Sequence, residues 1–268
     1  MSLIINADDL GYSKHRDNGI FACFENSSIS AASLIVNGPT SEAATERAKK
    51  LGLCLGLHLN LTEGSPLTES KELLNEKGQM FYKDSFRLCN ISAEAIEKET
   101  RAQFEKFKDL TGKYPTHVDG HQHIHVLNGM PEILAPIFKQ YGVLSTRIPD
   151  ENLTEIDWMD PKRKQKYELR LGSYIKARLI YIKHGIRAPE CFIGLGLCGL
   201  DTNVERISIC KKKTFGIVEF MVHPGFEGKQ EGIFNDPFDS DPGRFHEYQT
   251  LLTIPRPANL VDWSIYHI

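Results

Sequence analysis

The chain predicts an α/β fold in which parallel strands alternate with crossover helices and curl into a barrel, and three observations point there. Acidic and imidazole side chains stand at the C-terminal ends of four separate apolar runs: Asp8 and Asp9, then His58, His121 and His223. Parallel α/β barrels collect their catalytic groups from the C-terminal ends of successive strands. Between these runs lie amphipathic stretches of helical period, the alternation that βαβ units need. The length, 268 residues, is that of one barrel. Residues 1–268 are therefore expected to form a single domain that buries roughly three-quarters of its unfolded surface.

Leu3 to Ala7 reads as a short strand that ends in Asp8-Asp9-Leu10-Gly11. Adjacent carboxylates repel, so one of them needs a cation, hydrogen bonds or a proton. That favours a functional pair, one acid binding a metal and the other acting as general base, over an ordinary turn or helix cap. Ser41 to Lys50 has helical character. Leu53 to Leu61 alternates, with five leucines on one face and Cys54, Gly56, His58 and Asn60 on the other. Small or polar residues on that second face oppose something other than simple apolar core. His58 is a candidate ligand, and Asn60 a candidate for substrate contact or support. Ala93 to Leu110 reads as a long amphipathic helix.

The run from Thr116 to His125 carries His117, Asp119, His121, His123 and His125. Imidazole is the commonest metal ligand, and alternate residues of a straight strand would share one face. Gly120 argues for a chain that turns out of the strand instead. One or two of the later histidines then swing inward while the others support them or reach the surface. Asp119 and His123 are candidates for the supporting or substrate-binding role; a His-rich loop is the plain alternative. Pro131 to Tyr141 reads as a helix and Val143 to Ile148 as a strand. Arg147 stands at that strand's tip, where its forked donors could orient Asp8 or a substrate oxygen, a surface ion pair being the alternative.

Lys162 to Arg187 is basic, with Leu171, Ile175, Leu179 and Ile182 near helical spacing. It reads as a solvated crossover helix rather than an RNA or acidic-partner surface. Phe192 to Gly199 lacks the Gly-Lys-Ser/Thr ending of a phosphate loop and the spacing of a dinucleotide fingerprint, so a substrate-side loop or packing turn is expected. Ile217 to Val222 is a strand stopped by His223-Pro224-Gly225, and Val261 to Ile265 reads as a last strand.

A formal charge of −3 argues against a general polyanion binder, so no nucleic-acid partner is expected. No apolar run approaches the ~20 residues that span a bilayer, and the first strand begins at Leu3 with no basic and apolar leader. A cytoplasmic location follows as an expectation, with Cys23, Cys54, Cys89, Cys191, Cys198 and Cys210 mostly reduced. No linker, low-complexity tract or fixed-period repeat interrupts the chain.

Five motifs in order resemble the YdjC-like carbohydrate deacetylases, which include the bacterial chitooligosaccharide deacetylase. They are Ile5-Asn6-Ala7-Asp8-Asp9-Leu10-Gly11-Tyr12-Ser13, a strand Leu34-Ile35-Val36-Asn37-Gly38, Gly56-Leu57-His58-Leu59-Asn60-Leu61, Pro115 to His125, and His223-Pro224-Gly225. The resemblance implies a distorted (β/α) barrel of the polysaccharide-deacetylase kind, a divalent metal, and removal of an N-acetyl group from a sugar such as a chitooligosaccharide. By position it implies Asp9, His58 and His121 as metal ligands, Asp8 as general base and His223 as the late catalytic histidine, with His123 the alternative acid. Two imidazoles lean towards zinc, whereas the resemblance suggests magnesium. The partner expected is a small carbohydrate, with a homodimer the one assembly considered. Asp150 to Arg187 matches none of the family's motifs. Two rival readings are a phosphoesterase or other metallohydrolase on a related barrel, though such enzymes usually open with His-x-His where this chain has Asp-Asp, and a non-catalytic protein that binds sugars or partners.

Overall fold

The computed structural model describes residues 1–80, 91–228 and 242–267. Its strands are β1 (Ser2–Leu10), β2 (Ala31–Leu34), β3 (Cys54–Leu59), β4 (His117–Gly120), β5 (Ser145–Thr146), β6 (Cys191–Ile193) and β7 (Ile217–Val222). They form one parallel sheet in the order β5-β4-β3-β2-β1-β7-β6. The helices are α1 (Lys14–Glu25), α2 (Ser41–Leu51), α3 (Ala93–Thr111), α4 (Met130–Gln140), α5 (Pro161–Glu168), α6 (Leu171–Lys183), α7 (Val204–Lys211) and α8 (Gly243–Thr253). The sheet curls into an incomplete barrel, and the backbone of Arg187 reaches across beside β5. Thr146 N–H donates to Arg187 O (2.9 Å) and Arg187 N–H to Leu144 O (3.0 Å).

Strand alternation sorts the barrel into a dry outside and a polar inside. Leu3, Ile5 and Ala7 of β1 and Leu57 and Leu59 of β3 pack outward into the core beneath Phe21, Ala44, Phe104, Phe107 and Phe138. The alternate residues Asn6, Asp8, His58, Asp119 and Arg147 are buried too, but they bond to one another. The leucine face of Leu53 to Leu61 thus marks the outside, and the small and polar set marks the interior. A buried polar group is costly unless it is hydrogen-bonded, so this interior has to be a connected network.

Several predicted boundaries move. The strand expected over residues 34–38 instead ends at Leu34, because Gly38 N–H bonds back to Ile35 O (3.2 Å) and turns the chain into α2. The basic stretch is two helices, α5 and α6, rather than one. The last strand expected over Val261 to Ile265 does not form: Leu260, just before it, makes a single bridge to Leu3, and the chain then becomes a 3-10 turn over Trp263–His267. Trp263 accounts for that change. Its ring stacks on His117 at 3.4 Å and its Nε1–H donates to Asn6 Oδ1 (3.0 Å), so the turn closes the barrel from below. The described cysteines Cys23, Cys54, Cys191, Cys198 and Cys210 are free thiols; Cys89 lies outside the described residues. Among the described residues no helix is long and apolar enough to cross a membrane.

Gly56 is required by this packing. A Cβ there would stand 2.6 Å from the His117 ring and 3.0 Å from its carbonyl oxygen, and the ring is already pinned by Trp263. Gly56→Ala is expected to lower stability by about 1–3 kcal/mol, the usual cost of overpacking a core. Urea unfolding of the variant beside the parent checks this, and an unchanged midpoint would contradict it.

Candidate active site

Asp8 and Asp9 are consecutive, so on a regular strand they would point to opposite faces. The backbone breaks that rule. Asp9 has φ +67°, in the left-handed region, and the β1–β2 register shifts between Ala7 and Leu10. Asp is one of the few side chains that tolerate this region, at a cost of about 1–2 kcal/mol. Both carboxylates therefore reach the same end of the barrel.

Asp9 Oδ1 lies 2.9 Å from His121 Nδ1 and 3.3 Å from His58 Nε2. Donors held ~2.1 Å from one ion stand ~3.0–3.4 Å apart at octahedral to tetrahedral angles; the Asp9 oxygen stands at about that spacing from each imidazole nitrogen, and all three donor atoms lie within 4.8 Å of one another, so the group could hold a divalent cation. Each imidazole has a carboxylate behind it: His58 Nδ1 is 2.7 Å from Asp119 Oδ1, and His121 Nε2 is 2.8 Å from Glu63 Oε2. That arrangement sets ring orientation and tautomer in metal sites. The Tyr12 hydroxyl donates to the other Glu63 oxygen at 2.7 Å. Asp9 Oδ2 accepts from Arg16 Nη1 (2.9 Å) and Arg244 Nη2 (3.0 Å). Burial opposes ionisation of Asp9, but Arg16 and the two histidines override it and hold the carboxyl well below its usual range. Burial would likewise depress His58, yet the Asp119 and Asp8 carboxylates push it up to about 10. His121 is also raised, by Asp9 and Glu63 against the effect of burial.

Arg147 organises the other half. Its Nη1 and Nη2 donate to the two oxygens of Asp8 at 2.5 and 2.6 Å, Nη2 also lies 3.0 Å from Asp119 Oδ2, and Nε donates to Glu219 Oε1 at 2.6 Å. Asn6 adds a bond to Asp8 Oδ1 (2.9 Å), and Ser33 donates to Asp119 Oδ2 (2.7 Å). Three carboxylates around one guanidinium leave a surplus of acid. Glu219 absorbs it: burial, reinforced by Asp119 and Asp8 against the pull of Arg147, pushes its carboxyl up to about 8.

Among the remaining residues named from sequence, His223 stands at the rim, with Nε2 3.8 Å from Asp8 Oδ2. Burial outweighs the nearby acids and pushes it down to about 4, so it rests neutral. Asn60 turns away from the cluster. Its Oδ1 accepts from the Thr62 and Glu63 amides (both 3.1 Å) and its Nδ2 donates to Glu63 O (2.8 Å), which shapes the loop that carries Glu63. His123, at φ +58°, sets its ring edge-on to Phe192. His125 Nε2 bonds the Arg147 carbonyl (2.9 Å) and so steadies that residue from behind.

Arg16, Glu63, Glu219 and Arg244 are the site residues that sequence reading missed. Only Glu219 carried a visible signal, a lone charge inside the apolar strand Ile217 to Val222. Two other donor clusters fit a cation less well. Asp8 and Asp119, which meet at His58, already share the Arg147 guanidinium. In the group of Cys198, His223 and Glu247, both Glu247 oxygens accept backbone amides, from Gly199 and His223 (each 2.6 Å).

A family model described as YdjC-like protein matches residues 2–256. A carbohydrate deacetylase of Xenopus laevis is 32% identical over 288 residues, covering 95% of this chain and 92% of its own length. A chitooligosaccharide deacetylase of Serratia marcescens is 34% identical over 195 residues, covering 70% of this chain and 76% of its own. Among solved structures, an Enterococcus faecalis V583 protein provisionally named a cellobiose-phosphate cleavage protein has a TM-score of 0.72 at 20% identity, covering 99% of this chain and 97% of that one. That likeness bears on the fold alone.

The Glu219 assignment has a measurable consequence. A carboxyl raised from its ordinary 4.5 to about 8 binds its proton more tightly in the folded state, so its contribution to stability is full at low pH and is lost as pH climbs through that interval. Glu219→Gln removes the titration and keeps the shape. Relative to the parent, the variant should gain stability between about pH 5 and about pH 9, read by urea unfolding at both values; a parallel pair of pH curves would refute the assignment.

Proposed function

Because this chain belongs to the YdjC-like family, we propose that it is a metal-dependent carbohydrate deacetylase. Residues 1–268 would act as one cytoplasmic domain that hydrolyses the acetamide of an N-acetylated sugar or short oligosaccharide to acetate and a free amine. The observation that carries this reading is the convergence of Asp9, His58 and His121 beside a separately anchored acid, Asp8. In this reading the first three residues hold one divalent ion, with Asp119 and Glu63 fixing the two imidazoles. The donor set leans to zinc and the resemblance to magnesium. When bound, such an ion supplies Lewis acidity to the acetamide carbonyl and lowers the pKa of water.

The chain's own residues do the proton work. Asp8, oriented through both oxygens by Arg147, takes a proton from the attacking water. His223 rests neutral, so it can protonate the departing amine only after receiving a proton itself, and Asp8 Oδ2 at 3.8 Å is the group beside it. An amide needs that acid, because an unprotonated amide anion is a very poor leaving group. Acetate release from N-acetylglucosamine dimers and trimers, with and without added magnesium or zinc, tests the whole reading. No release with either ion would refute it.

Asp9→Ala, His58→Ala and His121→Ala are each expected to lose tight metal binding, whereas Asp8→Asn should keep the metal while its turnover number falls roughly a hundredfold or more. Metal content and kcat measured on the same preparations separate ligand from base; wild-type metal content in all three ligand variants would contradict the assignment. The pH dependence carries a sign. His58 and His121 must give up protons to bind the ion, so metal affinity should rise with pH across the neutral range.

His223 is separable by leaving group. An acetamide expels a basic amine that must gain a proton, whereas an aryl acetate expels a phenolate that need not. His223→Ala should therefore damage amide hydrolysis far more than aryl acetate hydrolysis. Equal losses on the two substrates would make it a packing residue and move attention to His123.

A further inference from the structure

Residues of β1 alternate, and Ile4, Asn6 and Asp8 stand one above another on its interior face, all three buried. The floor beneath them comes from the C-terminal turn. Trp263, 1% exposed, packs there with Ile4, Ala31 and Tyr266. Val261 N–H donates to Leu3 O at 2.9 Å and holds the turn to the start of β1. The Trp263 ring lies face to face with His117, and filling space accounts for that stack. It does not account for the indole N–H, which is aimed at one side chain.

We propose that Trp263 is a positioning residue for the reaction: its indole N–H holds the Asn6 amide, and Asn6 in turn holds Asp8 where it meets the attacking water. The inference rests on the role given to Asp8 above. Trp263 lies past residue 256, where the family match ends. The machinery would therefore reach from the first strand of the chain to its last turn.

The hydrogen bonds run in one direction. Trp263 Nε1–H donates to Asn6 Oδ1 at 3.0 Å, and an indole has a donor but no acceptor, so only the carbonyl end of Asn6 can face it. Asn6 Nδ2 donates to Asp8 Oδ1 and to Ser33 Oγ, both at 2.9 Å. Ser33 gives its own hydroxyl proton to Asp119 Oδ2 at 2.7 Å and so meets Asn6 as an acceptor. From one indole the chain of donors ends on two carboxylates, Asp8 and the acid behind His58.

Asp8 needs this bond in addition to the grip of Arg147. A bidentate pair leaves a carboxylate able to rock about the line through its two oxygens, and a third donor stops that motion. Among the described residues Asn6 is the donor to Asp8 besides Arg147, and Trp263 is the partner of the Asn6 carbonyl. Without the indole N–H that carbonyl would be a buried acceptor with no bond, a costly state. The amide then gains by turning until its oxygen finds a donor, and the turn takes Nδ2 off Asp8.

Trp263→Phe keeps a ring on His117 and removes the donor. On N-acetylglucosamine dimers its kcat should fall about tenfold, with KM and metal content unchanged, because a misplaced reacting group costs rate and not binding. Asn6→Ala should lose at least as much, and the double variant no more than Asn6→Ala alone, since the tryptophan acts through the amide. The crystal structure of Trp263→Phe should show the Asn6 amide rotated away from Asp8. If phenylalanine leaves a hole that unfolds the chain, replacement of Trp263 by benzothienylalanine, which keeps the ring's shape and puts sulfur in place of N–H, serves the same comparison. A residue that only fills the floor would lower the urea midpoint and leave kcat as it was, or add its loss to that of Asn6→Ala; either result would overturn the proposal, as would an Asn6 amide that stays on Asp8. Should the parent release no acetate, the activity proposed above fails, and the position of Asn6 in the variant still decides this inference.

Discussion

One guanidinium inside the barrel governs the rest of the site. Arg147 is fully buried, and taking a charge out of water costs several kcal/mol unless its partners restore what the water supplied. Here Asp8 takes two of its N–H groups, Glu219 one, and Asp119 lies within 3.0 Å. Those acids come from β1, β7 and β4, so a single side chain ties three strands of the sheet to the tip of β5. The arrangement explains why the barrel interior is lined by Asn, Ser, Gly and His rather than by layers of branched aliphatics. A buried polar network is costly wherever a member lacks a partner; here the Arg147 N–H groups are met by the three acids, while Glu219 Oε2 is buried with no hydrogen-bond partner among the described residues.

The same network divides the labour of two adjacent carboxylates. Asp8 is held by Arg147 from within the barrel, while Asp9 is held from the other side by Arg16 and Arg244 and turns its remaining oxygen to the two histidines. Repulsion between neighbouring acids is thus met by three separate guanidinium groups rather than by sharing a proton. The backbone stores strain to achieve this, at Asp9 and again at Gln122 and His123, both near φ +55 to +58°. Residues in such regions cost on the order of 1–3 kcal/mol each and survive only where their surroundings over-determine them. Just past the end of β4 the pair of left-handed residues follows His121 and folds His125 back against Gly120.

Much of this was legible from the residues. Period-two alternation in Leu53 to Leu61 identified the two faces of β3, and Gly120 marked where the chain leaves β4. Strand tips carrying Asp8, Asp9, His58, His121 and His223 announced one end of a barrel, because only a parallel sheet gathers such ends. Arg147 was readable as a group that could orient Asp8. What stayed hidden is non-local. Arg16 lies in the first turn of α1 and Arg244 in the first turn of α8, and nothing in either helix says that both reach Asp9. Glu63 sits in a loop whose course is set by Asn60, so its approach to His121 depends on hydrogen bonds that no periodicity reports. The C-terminal segment was misread for a related reason: Val-Asp-Trp-Ser-Ile has strand composition, and only the stacking surface of His117 beneath the barrel decides that Trp263 tucks under it.

Both imidazoles share one construction although they come from different elements. His58 projects from a regular strand and is backed by Asp119 of the neighbouring strand; His121 projects from a strained turn and is backed by Glu63 of a loop. Asp119 is itself anchored by Arg147 and Ser33, whereas Glu63 leans on Tyr12, whose ring carries the Arg16 guanidinium at 3.4 Å. The two halves of the site therefore differ at their roots, one resting on the sheet and the other on the loop that carries Glu63. Asp9 joins them, and its position is set by the kink that ends β1. A change in the loop carrying Glu63 would reach Asp9 through His121, while Asp8, held by Arg147 and Asn6 of the barrel interior, would feel it least. In the proposed reading, that insulation keeps Asp8 fixed beside Asp9, His58 and His121.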